Sequence, residues 1–156
     1  MPDPIARPRT LRTLLAAARL TDRERIIRIL DRAGGYDVLA ETGDGRSAVR
    51  LSGQFDPELV LLDLDLPLLG GIDATPAILH NAPEAAIVIL TPEGSDSGGV
   101  LAVRFGARAH VPLDSPAELL LAALVAALPG DMVPESQPAR AGTAPPSWWE
   151  ALLADR

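Results

Sequence analysis

Residues 59–64, Leu-Val-Leu-Leu-Asp-Leu, are apolar at every position but one, and no other feature of the chain constrains its fold as strongly. A strand with one face in water alternates apolar and polar residues. A strand apolar on both faces must be covered from both sides, as in a parallel sheet flanked by helices. The neighbouring pattern supplies the rest of such a sheet. Apolar runs at Thr13-Leu-Leu-Ala-Ala, Tyr36-Asp-Val-Leu-Ala-Glu, Ala86-Ile-Val-Ile-Leu-Thr and Ala109-His-Val read as four more strands. Between them lie helical segments. Residues 22–32 carry Ile26, Ile29 and Leu30 on one face with Thr21 placed to cap, and Gly34-Gly35 stop them. Residues 45–53 are built on Ala48, Val49 and Leu51, and residues 72–80 tolerate Pro76 near their first turn. Residues 97–105 form a weak helix, because Gly98 and Gly99 each cost roughly 1 kcal/mol against Ala. Ser115-Pro116-Ala-Glu118 opens the last helix, with Pro in the first helical position and Glu at the capping-box position. Five strands alternating with five helices give a doubly wound α/β sheet, whose functional residues sit at the carboxyl ends of the strands.

Prolines bound this unit. Pro2, Pro4 and Pro8 mark residues 1–9 as a disordered leader, and five prolines within residues 129–146 mark a flexible linker over 130–146. One domain therefore spans about 10–129, followed by the linker and a short amphipathic helix at 147–156. The 156 residues carry a net charge of −7 with no basic run, which speaks against direct nucleic-acid binding. The absence of Cys removes disulfides, thiol catalysis and Cys-type zinc sites, and the two His are thirty residues apart. The most apolar run, 119–128, is half the ~20 residues a bilayer span requires. A cytoplasmic protein without a membrane segment is the expectation.

The stretch Asp56-Pro-Glu-Leu-Val-Leu-Leu-Asp63-Leu-Asp65-Leu-Pro67-Leu-Leu-Gly-Gly71 closely resembles the centre of a response-regulator receiver domain. Gly43-Asp-Gly45 fits the loop after strand two, and Phe105-Gly-Ala-Arg-Ala-His110-Val resembles the segment entering strand five. The resemblance covers about residues 10–129 and is strongest to receivers that carry a helix-turn-helix effector. It implies a flavodoxin-like five-stranded parallel sheet of order 2-1-3-4-5 with helices on both faces. It also implies a role in two-component signal transduction and transcription regulation, and no enzymatic activity. On this resemblance Asp63 is the phosphoacceptor equivalent, and Thr91 and His110 stand at the switch positions.

The departures from the family carry as much information. Two adjacent acidic residues that hold Mg²⁺ in receivers are Ala17 and Ala18 here, followed by Arg19. The Lys that pairs with the acceptor is Leu113, and the chain contains no Lys at all. Phosphoryl transfer is mostly positioning and charge neutralisation, so these losses leave Asp63 without partners for added negative charge. Asp65 and Arg19 are the compensating candidates. No cofactor is expected, Mg²⁺ included, and no metal site. Each residue also has a plainer role: Asp63 as a hydrogen-bonded strand end, Thr91 as a strand cap, His110 as a half-buried packing residue, Asp65 and Glu93 as solvated charges.

Two surfaces point to partners. The last helix of the domain is apolar nearly all round. Leu119 and the set Leu120, Leu121, Leu124, Val125 and Leu128 exceed what one buried stripe holds, so a homodimer through this helix is expected. The tail carries both tryptophans. Ser147 and Glu150 stand at capping-box spacing, and Trp148, Trp149 and Leu152 must dock to be ordered, on this chain, on a second subunit or on another protein. Three functions follow in order: an atypical receiver acting without phosphorylation through dimerisation or ligand or partner binding, a conventional Asp63 phosphoacceptor, and a small-molecule or cofactor-binding protein on a flavodoxin-like scaffold.

Overall fold

A computed structural model describes residues 10–92 and 96–134. Five strands, β1 (Leu11–Ala16), β2 (Tyr36–Thr42), β3 (Leu59–Asp63), β4 (Ala86–Thr91) and β5 (Ala109–Pro112), alternate with α1 (Leu20–Ala33), α2 (Gly45–Phe55), α3 (Gly71–Asn81), α4 (Asp96–Arg104) and α5 (Ala117–Ala127). All strands pair in parallel, in the order β2-β1-β3-β4-β5. The expected doubly wound, flavodoxin-like sheet is the one observed.

The two-residue period of the strands sorts the core into two layers. Leu15, Leu59, Leu61, Val88, Leu90 and Val111 face α1 and α5, where they meet Ile26, Leu30, Leu120, Leu124 and Leu128. Leu14, Val60, Leu62, Ile87 and Ile89 face the other way, onto Ala48 of α2, Ile78 of α3 and Ala102 of α4. Every residue of β3 and β4 is buried, so these two strands are covered on both faces, which is why their sequences do not alternate.

Three local expectations are corrected. α1 begins at Leu20 with Arg19 in the capping position and no side-chain cap, so Thr21 lies inside the first turn and is exposed. At α5 the capping residue is Pro116, one position later than the spacing predicts. The carbonyl of Pro116 accepts from the Leu119 and Leu120 amides, and the buried Ser115 hydroxyl makes no hydrogen bond. The Ser115 carbonyl instead accepts a hydrogen bond from Arg25 of α1, which fixes the chain in a path that leaves no capping box. The third correction concerns α5 itself. Leu120, Leu124 and Leu128 recur at four-residue intervals and lie in the chain's own core, so of the five residues expected at an interface only Leu121 and Val125 retain surface. Beyond α5 a 3₁₀ turn, Gly130–Met132, follows, and Met132 and Val133 pack against the α1–α5 layer of the core. Trp148, Trp149 and Leu152, like the leader at 1–9, lie outside the described residues.

The burial contrast on α5 has a measurable consequence. Leu124→Ala leaves a cavity and costs about 2–5 kcal/mol, whereas Leu121→Ala costs less than half of that in denaturant unfolding. A second consequence concerns pH. Tyr36 is buried, its hydroxyl has no hydrogen-bond partner, and burial pushes its pKa from 10.0 up to about 12. Between those values the unfolded chain has released the proton that the folded chain keeps, so stability is intact below pH 10.0 and falls as pH rises toward 12. The slope reaches about 1.4 kcal/mol per pH unit at most. Tyr36→Phe flattens this alkaline decline in pH-dependent thermal unfolding and costs less than about 1 kcal/mol at neutral pH.

Candidate functional site at the carboxyl ends of the strands

In this strand order the chain reverses its winding between β1 and β3, and the crevice at their carboxyl ends is where such sheets place function. Asp63 ends β3 at that point and is only 4 % exposed. An ionised carboxylate so placed must be hydrogen-bonded. Its Oδ2 accepts from the Ala18 amide at 3.1 Å and its Oδ1 from the Asp65 amide at 3.1 Å, so the loops after β1 and β3 each give it one donor.

The side chains expected around that carboxylate are placed as follows. Ala17 is fully buried and Ala18 exposed, and neither offers a charged group beside Asp63. Arg19 points into solvent, 80 % exposed and 3.7 Å from Asp22, so it is not the compensating charge. Asp65 is exposed and reaches Asp63 through its backbone. Leu113 turns its side chain onto the α1–α5 layer of the core, while its amide donates to the Thr91 carbonyl at 2.8 Å. Thr91 is buried at the end of β4. His110 is half-buried on β5, and its ring lies against α4 so closely that a Cβ on Gly99 would stand 2.4 Å from Nδ1. This packing gives a reason for glycine in the helix there.

Two residues near the site carry roles that the sequence reading did not assign. Arg23 of α1 donates from Nη1 to the Ala17 carbonyl at 2.7 Å and pairs through Nε with Glu41 at 3.3 Å. A guanidinium thus closes the loop that in receivers carries the acidic pair. Asp44 caps α2, accepting from the Ser47 amide at 2.7 Å and hydroxyl at 2.8 Å. Chiefly the Ser47 amide, then its hydroxyl, holds the Asp44 carboxyl below its ordinary pKa. The Asp-to-Ser spacing was a readable cap signal. The arginine had none, because a long side chain reaches its partner only once the helix is docked.

The loop from Asp63 to Gly71 is held by close backbone approaches. Gly45 donates to the Pro67 carbonyl at 3.1 Å, and a Cβ there would stand 1.7 Å from the Leu69 carbonyl oxygen. Gly71 donates to the Leu64 carbonyl at 3.0 Å. Leu68, at the tip, takes a left-handed conformation (φ +69°) and is 70 % exposed.

Residues 20–125 match the family described as response regulator receiver domain. The chain belongs to the response-regulator receiver family. It is 33% identical over 111 residues to the nitrate/nitrite response regulator protein NarP of Escherichia coli, covering 71% of this chain and 52% of NarP. It is 26% identical over 102 residues to the transcriptional regulatory protein DegU of Brevibacillus brevis, covering 65% of this chain and 43% of DegU. The receiver thus spans about half the length of the curated relatives it matches. Among solved structures it resembles a LuxR-family two-component response regulator from Aurantimonas sp. SI85-9A1, with TM-score 0.69 and 34% identity over 75% of this chain and 84% of that one. The signal receiver domain of NarL from Mycobacterium tuberculosis superposes with TM-score 0.70 at 22% identity, covering 76% of this chain and 95% of that domain. The expected family is the one found, and the chain is a receiver of two-component signalling. Among the described residues no helix is long and apolar enough to cross a membrane.

The Mg²⁺ that receivers use does not fit the residues present. A magnesium site of this type needs one or two carboxylates with free oxygens. Here two methyls stand where the acidic pair would be, so no carboxylate from the loop after β1 joins Asp63, and an arginine guanidinium is bonded to that loop instead. Among the described residues no three of His, Cys, Asp and Glu gather in a way that holds a metal. The geometry of the glycine-lined loop is testable separately. Gly45→Ala drives a methyl into the Leu69 carbonyl and destabilises the domain by about 1–3 kcal/mol in urea unfolding.

Proposed function

We propose that this receiver transmits its signal by assembly and partner contact, without Mg²⁺-dependent phosphorylation of Asp63, in the control of transcription. One observation carries the reading: Asp63 sits between two backbone amides, with methyl groups and a leucine at the positions that would neutralise a phosphoryl group. The fold and the acceptor persist while the chemistry around them is gone. Arg19, the candidate substitute cation, is engaged with Asp22 at the surface, which weighs against the conventional reading. In this reading the protein is not an enzyme and acts in the cytoplasm. Control of transcription is the role named for its relative DegU, a transcriptional regulatory protein, and supports that part of the reading.

The homodimer expected through α5 belongs, on this reading, to the β5 edge of the sheet. β5 has no strand neighbour beyond it, and α4 and α5 both pack on it from opposite faces. Val100, Leu101, Val103 and Phe105 are exposed along α4 and its end, which makes this edge apolar. Pro112 in β5 blocks strand-to-strand extension, which favours contact through helices.

Incubation with acetyl phosphate and Mg²⁺ tests the chemistry, with intact-protein mass as the readout. The unmodified chain gains phosphate at least about 10³-fold more slowly than the variant Ala17→Asp, Ala18→Asp, Leu113→Lys, in which the ligands and the cation are restored. Ready phosphorylation of Asp63 in the unmodified chain with a change in oligomeric state overturns the reading. In sedimentation equilibrium the dimer is lost in Leu101→Glu.

A further inference from the structure

We propose that the tryptophan-bearing segment 147–156 docks in the groove between α1 and α5 of its own chain. This groove, of about 470 Å³, lies on the opposite side of α5 from the sheet edge discussed above. Ile29, Ala33 and Leu121 line it, and Arg25, Arg28 and Arg32 stand beside them. The three arginines recur at i, i+3 and i+7 and so share one side of α1. Among the described residues Arg28 and Arg32 have no ion pair within 4.0 Å, while Arg25 donates to the carbonyls of Leu113 (3.2 Å) and Ser115, which fix its guanidinium without cancelling its charge. A cationic, partly apolar groove in a chain of net charge −7 calls for an occupant that is apolar and acidic together.

The segment Ser147-Trp-Trp-Glu-Ala-Leu-Leu-Ala-Asp-Arg156 has that composition. Read as a helix it sets Trp149, Leu152 and Leu153 on one face. Its carboxylates, Glu150 and Asp155, then stand about 140° apart around the axis and border that face on either side, so each rim of the apolar face carries one acidic group. Tryptophan faces also attract guanidinium groups directly. The chain path supplies the reach. The described residues end at Pro134, just after Met132 and Val133, which pack on the same core layer as Ile29 and Leu121. Residues 135–146 extend up to about 40 Å even as a stiff polyproline-II chain, enough to reach any face of a domain whose radius of gyration is about 13–14 Å. A second copy is a poorer occupant, because a two-fold contact centred on this groove sets the same three arginines against their own copies.

Trp148 and Trp149 are the chain's only tryptophans, so their fluorescence reports docking without added labels. In the full chain their emission is expected to be blue-shifted from that of the urea-unfolded chain and protected from acrylamide. Both properties should hold at every protein concentration and weaken as salt rises. Arg28→Glu with Arg32→Glu shifts emission to the unfolded position while far-UV circular dichroism stays unchanged, and adding Glu150→Arg with Asp155→Arg restores the blue shift. If the charge reversal unfolds the domain, Arg28→Gln with Arg32→Gln replaces it and gives a smaller shift in the same direction. Native emission at the unfolded position overturns the proposal, as does a blue shift indifferent to Arg28 and Arg32. Protection that grows with protein concentration overturns it too, by assigning the groove to another molecule's tail. None of these outcomes depends on whether Asp63 accepts phosphate.

Discussion

Burial of β3 on both faces is the constraint on which the rest of the structure depends. Leu59 and Leu61 serve the α1–α5 layer and Val60 and Leu62 the α2–α4 layer, so this central strand, like β1 and β4 on either side of it, builds both cores. Its last residue is a carboxylate. Placing that group at the end of a fully buried strand costs several kcal/mol unless donors meet it. The amides of Ala18 and Asp65 are those donors. In return the carboxylate ties the loops after β1 and β3 to each other through those two amides. An aspartate at position 63 therefore has structural work that survives the loss of the metal ligands. This separates the persistence of the acceptor from the persistence of its chemistry.

The sheet was legible in the sequence because burial on two faces leaves a mark that no other strand type leaves. The order of the strands came from a resemblance, and the pairing agrees with it. What was not legible depends on neighbours distant in sequence. Thr21 and Ser115 satisfied the local rules for helix caps, yet the paths at Arg19 and Pro116 are set by docking, with Arg25 holding the Ser115 carbonyl. The two glycines of α4 read as a weak helix, whereas Gly99 answers to the His110 ring, eleven residues away. In α5 the buried stripe was hidden because its flanks are apolar too. The i, i+4, i+8 series of Leu120, Leu124 and Leu128 becomes distinct from Leu121 and Val125 only when the sheet lies beneath it.

The composition acquires a physical meaning in the loops. Every basic residue is an arginine, and in the described structure arginines repeatedly end on backbone carbonyls. Arg12 reaches Asp56, Arg23 reaches Ala17, Arg25 reaches Leu113 and Ser115, and Arg108 reaches Ala127. A planar guanidinium with five donors suits this work, since one head group can bridge two carbonyls of a turn. A lysine ammonium is a compact, strongly hydrated charge suited to meeting a phosphate from one direction. The chain has kept the cations that fasten loops and lacks the one that would meet a phosphoryl group.

That exchange bears on how a signal leaves the domain. The segment after β5 is the one from which a receiver's lysine would sense the acceptor. Here it is held from behind by Arg25, and Leu113 faces the core. Pulling this segment toward Asp63 would break two hydrogen bonds to a charged donor, each worth about 1.5–3 kcal/mol, and would expose a packed leucine. Asp63 offers no charge change to drive that motion when it is not phosphorylated. Regulation on the reading proposed here therefore acts from outside, on surfaces that meet other molecules or the chain's own tail. The α4 edge and the arginine groove lie on opposite faces of the sheet, so on this reading the two surfaces can be occupied at the same time.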